Sequence, residues 1–296
     1  MVLSEAISEF ILEQRVRGNS NATVSYYRNV LGYFLEFSGN VDVTELTLHR
    51  CREYYLQLAQ DEINSVSVQS YIRGLRAFLR WLYDNEYITE NICVKFKLPK
   101  ATRKVIDVLT EEEIALLFDS ILGRHELAVR NRLIVALMLD CGLRRHEVVT
   151  LTVSAVHLRD RYIIVQQGKG DKQRVVPFGK FTAKLVERYL KLTAQRLPRE
   201  ALIIKLSGDG PAEGITDTTL IQLFRKLKKR TGIYRLKPHL LRHTFATRYL
   251  ENGGNIYSLQ QILGHTSLDM VKRYLHLANT RIRKDFSRFS PLDNLK

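Results

Sequence analysis

The chain is short of the features that define several protein classes. It has three cysteines, Cys51, Cys93 and Cys141, odd in number, far apart and without a CxxC. That excludes a disulfide framework or a thiolate metal site, and leaves the thiols as small residues on buried faces. No apolar run approaches the roughly 20 residues needed to span a bilayer. The first ten residues, MVLSEAISEF, carry acids where a secretory signal has a basic segment and then an apolar one. A cytoplasmic protein with no membrane partner is therefore expected. Neither an internal repeat nor a low-complexity tract is visible. No carboxylate or thiolate cluster calls for a metal, so no cofactor is expected.

What the chain does have is length and positive charge. Its 296 residues suit two domains better than one, and 45% hydrophobic with 26% charged residues is the composition of a globular protein. The net charge of +15 is unevenly placed: residues 1–100 hold 11 Lys+Arg against 12 Asp+Glu, and residues 101–296 hold 35 against 19. Such a field attracts polyanions, of which duplex DNA is the densest common one, at about one charge per 1.7 Å of axis. Charge alone fits RNA or an anionic membrane equally well.

Helical periodicity dominates residues 1–93. Ile7, Phe10 and Ile11 share one face, and Tyr27, Leu31, Phe34 and Leu35 form a second stripe ended by Ser38-Gly39-Asn40. Cys51, Tyr54, Tyr55 and Leu58 make a third, capped by Thr47, and Val68, Tyr71, Ile72, Leu75, Leu79 and Leu82 a fourth. These stripes predict an α-helical bundle. Arg73, Arg76 and Arg80 fall on the outer face of the fourth helix, either as a solvated row or as phosphate contacts. Residues 94–106, with Lys95, Lys97, Arg103 and Lys104 around a proline, read as a basic linker. Residues 107–296 then form a second domain, mixed α+β and mainly helical. Thr110 before three glutamates marks a capped helix start. Tyr162–Val165 and Arg174–Pro177 are β-rich runs joined by Gly168-Lys169-Gly170-Asp171, which predicts a hairpin in a small antiparallel sheet. After about Thr218 the pattern is helix broken by loops.

Several residues in the second domain are candidates for chemistry. Arg144 lies in Gly142-Leu143-Arg144-Arg145-His146-Glu147, after the apolar run Leu133–Leu139. Pro238 opens Pro238-His239-Leu240-Leu241-Arg242-His243; with proline in the first turn, His239 and Arg242 share a face near a helix end that favours anions. Leu263-Gly264-His265 follows, and Tyr274 stands nine residues after His265. Singly, each has a structural reading: a surface ion pair for Arg144, a loop residue for His265, core for Tyr274. His239 and His243 have metal-pair spacing, without the glutamate of an HExxH or an obvious third ligand.

In order, Gly-Leu-Arg-x-x-Glu, a Gly-Lys-Gly turn, His-x-Leu-Arg, Leu-Gly-His and a tyrosine nine residues on resemble the tyrosine recombinase (phage integrase) family. The spacings match across roughly residues 107–280, and the N-terminal bundle is similar to that family's core-DNA-binding domain. The length is most like that of the simple Xer-type and transposon-type members. The resemblance implies a site-specific recombinase that cleaves and rejoins double-stranded DNA through a 3′-phosphotyrosine. It places Arg144 and Arg242 as the active-site arginines, Lys169 as the hairpin lysine, and His239 with Arg242 as the His-x-x-Arg pair. His265 fills the family's His-or-Trp position, and Tyr274 is the nucleophile. Arg145 and Lys172 join the basic residues named above as further candidate DNA contacts. The 22 residues after Tyr274, with Leu275, Leu277, Phe286, Phe289 and Leu292, either fold back or dock in a neighbouring subunit of a DNA-bound homotetramer. A related recombinase or accessory protein is a further expected partner. The rival readings are a non-catalytic DNA binder of the same fold, a type IB topoisomerase-like nicking-closing enzyme, and a metal-dependent nuclease using His239 and His243.

These residue types suit the chemistry. Guanidinium forks bind phosphate oxygens bidentately and stay charged while the phosphodiester gains negative charge in attack. A tyrosine hydroxyl, with an ordinary pKa near 10, needs a base or local positive charge before it attacks.

Overall fold

A computed structural model describes residues 1–61, 63–97, 107–167, 172–194, 201–206 and 213–264, with the backbone alone at 167 and 172. Lys169, His265, Tyr274, Arg103, Lys104 and the tail beyond Tyr274 lie outside the described residues. The chain divides into two compact units, residues 1–104 and 105–296.

The first unit is helical. Helices α1 (Leu3–Val16), α2 (Asn21–Ser38), α3 (Leu48–Gln60) and α4 (Ser65–Asp84) turn the four apolar stripes onto one core. Ile7, Phe10, Leu31, Phe34, Cys51, Tyr54, Leu58, Ile72, Leu75, Leu79 and Leu82 are buried there. The termini follow local chemistry. Thr47 accepts a hydrogen bond from the Arg50 amide at the start of α3, and Gly39 ends α2 at φ +70°, where a side chain is disfavoured. Val94 and Lys95, expected in a linker, instead complete a short helix, α5 (Ile92–Lys95). The reason is apolar: Ile92, Cys93 and Phe96 are buried in this core, packing beside α4.

The second unit is built around α7 (Glu126–Leu139), whose Ala128–Met138 stretch is buried on nearly every side. A helix apolar all round must be covered all round, and α9 (Lys180–Thr193), α11 (Pro238–Glu251) and α8 (Arg145–Val149) pack against it. Helix α6 (Glu111–Asp119) opens the unit with the expected cap, Thr110 accepting from the Glu113 amide and donating its own amide to the Glu113 carboxylate. Strands β1 (Val156–His157), β2 (Tyr162–Gln167) and β3 (Lys172–Pro177) form one antiparallel sheet in the order β1-β2-β3. The β2–β3 register runs from Tyr162 opposite Pro177 to Gln167 opposite Lys172. The hairpin therefore extends further toward residues 168–171 than the β-rich runs alone indicate. Helices α10 (Asp217–Thr231) and α12 (Ile256–Leu263) complete the unit, α12 packing against β3. No described helix is long and apolar enough to cross a membrane.

Candidate active site

Three chain reversals bring the candidate residues together. At the end of α7 the backbone turns through Gly142 at φ +64°. A Cβ there would stand 2.5 Å from the Phe245 ring and 3.0 Å from Leu263, so only glycine fits. Two residues later Arg144 sits immediately before α8, in extended backbone at φ −72°, ψ 155°. Its amide donates to Glu147 Oε2 at 2.7 Å and its Nη1 to Oε1 at 2.9 Å. Nη2 reaches the Gly264 carbonyl at 3.3 Å. The side chain stays 36% exposed.

The second reversal starts α11. Pro238 stands in its first turn, where a missing N–H costs nothing and φ is already helical. This places His239 and Arg242 one turn apart. Arg242 is buried; its Nη1 donates to the Gly142 carbonyl at 2.6 Å and its Nη2 to the Leu263 carbonyl at 2.7 Å. One guanidinium thus ties the turn after α7 to the end of α12. Thr244, on the same helix, accepts from the Leu109 amide at 2.9 Å and so fixes α11 to the start of the unit.

The third reversal is the left-handed Gly264 after α12, at φ +63°. Three consecutive carbonyls at this helix end each take a different arginine: Ile262 from Arg174, Leu263 from Arg242 and Gly264 from Arg144. Free carbonyls and the negative end of the helix dipole favour cations here. His265 is the next residue in the chain, so the last described residues before it are held from three directions.

Arg174 is a member of this site that periodicity and motif reading passed over. On β3, buried Arg174 and Val176 alternate with exposed Val175. The strand alternation alone would have placed Arg174 inward, and an inward arginine needs a partner. Its Nη1 and Nη2 donate to Glu147 Oε1 and Oε2 at 2.9 and 2.7 Å.

The electrostatics follow from this packing. Burial alone would raise the Glu147 carboxyl, but the hydrogen bonds and charge of Arg174, and then the bonds from Arg144, bring it below the ordinary carboxylate value. Glu147 is thus an anion shared by two guanidiniums, which leaves the group net positive. His239 is held below its ordinary value, first by burial and then by the charges of Arg242, Lys237, Arg145 and Arg144. Its neutral form is favoured, as a proton acceptor requires.

The other basic candidates are scattered. Arg73 and Lys97 are exposed and Arg76 is half-buried, none with an ion pair among the described residues. Arg80 pairs with Asp84 at 2.9 Å, Lys95 with Glu90, and Arg145 Nε with Asp217 at 2.8 Å. Lys172 contributes backbone pairing in β3.

The description of the phage integrase family matches residues 107–281, and that of its SAM-like domain matches residues 2–98. The tyrosine recombinase XerD of Halalkalibacterium halodurans is 28% identical over 291 residues, 96% of this chain and 97% of that one. XerD of Listeria monocytogenes serovar 1/2a is 30% identical over 300 residues, 98% of each. Among solved structures, the Tn1549 transposon integrase in complex with circular intermediate DNA superposes with a TM-score of 0.76, covering 98% of this chain and 100% of that one. At 20% identity this likeness speaks for the fold alone. The chain therefore belongs to the phage integrase family and is, by that membership, an Xer-like tyrosine recombinase, a site-specific DNA recombinase.

Proposed function

We propose that the second unit cleaves and rejoins double-stranded DNA with Tyr274 as nucleophile, and that Arg144 and Arg242 hold the scissile phosphate. The observation that carries this reading is the convergence of the two arginines, one immediately before α8 and one in α11, on adjacent carbonyls at the end of α12, with a His239 whose neutral form is favoured by burial and by their charges. Fixed donors of this kind stabilise charge as it develops on non-bridging oxygens without reorganising at the moment of reaction.

In the first step the Tyr274 oxygen attacks phosphorus and its proton passes to His239. The phosphorus–O5′ bond breaks, and Lys169 on the hairpin turn protonates the departing O5′. His265 donates a hydrogen bond to a phosphate oxygen. The 3′-phosphotyrosine keeps one phosphodiester bond for another, so a free 5′-hydroxyl reverses the step with no outside energy source; covalent catalysis divides one hard displacement into two easier ones. No step calls for a metal, because the guanidiniums supply the charge. The first unit contributes to DNA binding through the outer face of α4, with Lys95, Lys97, Arg103 and Lys104 beyond it, and Arg145 and Lys172 add contacts from the second.

The test is a suicide substrate. A nicked duplex carrying the sequence that the protein selects from a randomised pool is incubated in EDTA and run on a denaturing gel. Wild type gives a slow-migrating covalent adduct and Tyr274→Phe gives none. Plain binding without adduct on every duplex makes the chain a DNA binder instead, and strand cleavage without an adduct, seen only when a divalent ion replaces EDTA, returns the metal-dependent reading.

A lambda integrase of similar fold has been solved as a tetramer on a Holliday junction. We assign this chain the same state on two DNA sites, with the segment after Tyr274 docking in a neighbouring subunit, and with a related recombinase or accessory protein able to join. Truncation after Ala278 then leaves single-site binding intact and removes recombination between two sites; an undiminished recombination rate rejects the docking.

A further inference from the structure

We propose that Arg174 is a positioning residue for Arg144, acting through the Glu147 carboxylate; the inference rests on Arg144 contacting the scissile phosphate. Both oxygens of Glu147 are shared. Oε1 accepts from Arg144 Nη1 and Arg174 Nη1, each at 2.9 Å. Oε2 accepts from the Arg144 amide and Arg174 Nη2, each at 2.7 Å. The fork-to-fork pair with Arg174 fixes the plane of the carboxylate, which a single donor cannot do. With the plane fixed, Arg144 has only one side-chain bond to Glu147, and its outer edge is left for an anion. Without the fork, the carboxylate is free to turn fully onto Arg144 and compete with the phosphate for it.

Burial separates the two roles. The Arg174 side chain is 6% exposed and that of Arg144 36%, so Arg174 works from behind. Its third bond, from Nε to the Ile262 carbonyl at 2.7 Å, anchors the same guanidinium to the last turn of α12. Arg174 therefore links three parts of the site: the strand leading from the hairpin turn, the carboxylate behind Arg144, and the helix that ends just before His265. Lysine offers one compact charge and cannot reproduce three bonds in a plane.

The experiment compares wild type, Arg174→Lys, Arg144→Ala and the double variant, all full-length, on the self-selected nicked duplex, end-labelled and followed for hours under single-turnover conditions. Single-site affinity and the thermal midpoint are measured alongside. Arg174→Lys keeps the charge behind Glu147, and so the fold, but loses the fork. Its adduct rate falls by about 10- to 100-fold, the scale of a misplaced reacting group, while affinity stays within about threefold of wild type. In the Arg144→Ala background the same substitution changes the rate by less than about threefold, because the group it positions is gone. A wild-type adduct rate in Arg174→Lys overturns the proposal, as do effects that multiply in the double variant. An undiminished rate in Arg144→Ala is a separate result that removes the phosphate reading of Arg144.

Discussion

Arg73, Arg76 and Arg80 line the outer face of α4 in the first unit, whereas Arg144, Arg174 and Arg242 in the second are gathered on one carboxylate and three consecutive carbonyls. The residue type is the same and the physical state is not. On α4 only Arg73 is exposed without an ion pair among the described residues, Arg76 being half-buried and Arg80 held by Asp84; ordering a free arginine on contact costs roughly 2 kcal/mol of rotamer entropy. Around Glu147 that ordering has already occurred on folding, offset by hydrogen bonds to charged and backbone acceptors worth about 1.5–3 kcal/mol each. An arginine ordered in advance suits transition-state stabilisation, and one ordered on contact suits encounter and affinity. The proposed roles of the two units follow this line.

The contrast can be broken at its strongest point first. Arg242→Gln is expected to slow adduct formation by about a thousandfold, as for loss of a fixed donor at a developing charge, with little change in single-site affinity by gel shift. A near-wild-type rate with weakened binding instead puts Arg242 in the same class as the α4 row.

A smaller effect tests the field that the gathered arginines create. Burial, and then the charges of Arg242, Lys237, Arg145 and Arg144, hold the His239 pKa down, so the imidazole stays neutral to lower pH than an ordinary histidine near 6.5. If it accepts the Tyr274 proton, the rate is flat above that region and declines only as pH falls through the depressed value. In His239→Gln the rate drops about a hundredfold, the scale of a lost general base, and this limb disappears. A wild-type profile that breaks above pH 6.5 contradicts the depressed pKa.

The smallest effect lies on α4. Arg73→Ala is expected to weaken binding to all duplexes alike, reducing the salt slope by about one while leaving the adduct rate at saturation unchanged. Arg80→Ala is weaker still, because Asp84 already pairs with that guanidinium. Equal salt slopes for Arg73→Ala and wild type take α4 out of the DNA surface.

Legibility in the sequence also differs between the units. The first unit's four stripes and the Thr47 cap are local, with partners at helical spacing, so periodicity reads them directly. The same holds for Thr110, the hairpin strands and Pro238. Its departure, α5 and Phe96 in place of a linker start, arises because Lys95 and Lys97 flank Phe96, which is buried with Ile92 and Cys93 in the bundle core. In the second unit Arg144, His239 and Arg242 are legible only as an ordered set of motifs, since each alone has an ordinary structural reading. Arg174 carries no motif; its partners Glu147 and Ile262 are 27 and 88 residues away in the chain.

The sequence by itself determined the four bundle helices, the start of α6, the hairpin, the family and the order of the candidate residues, because those rest on near-neighbour spacing and residue type. Only the tertiary structure decided that one carboxylate serves two arginines, that three arginines hold successive carbonyls at the end of α12, and that His239 is kept neutral. Each of these depends on distances between segments far apart in the chain and on the exclusion of water around them, and neither quantity exists until the chain has folded.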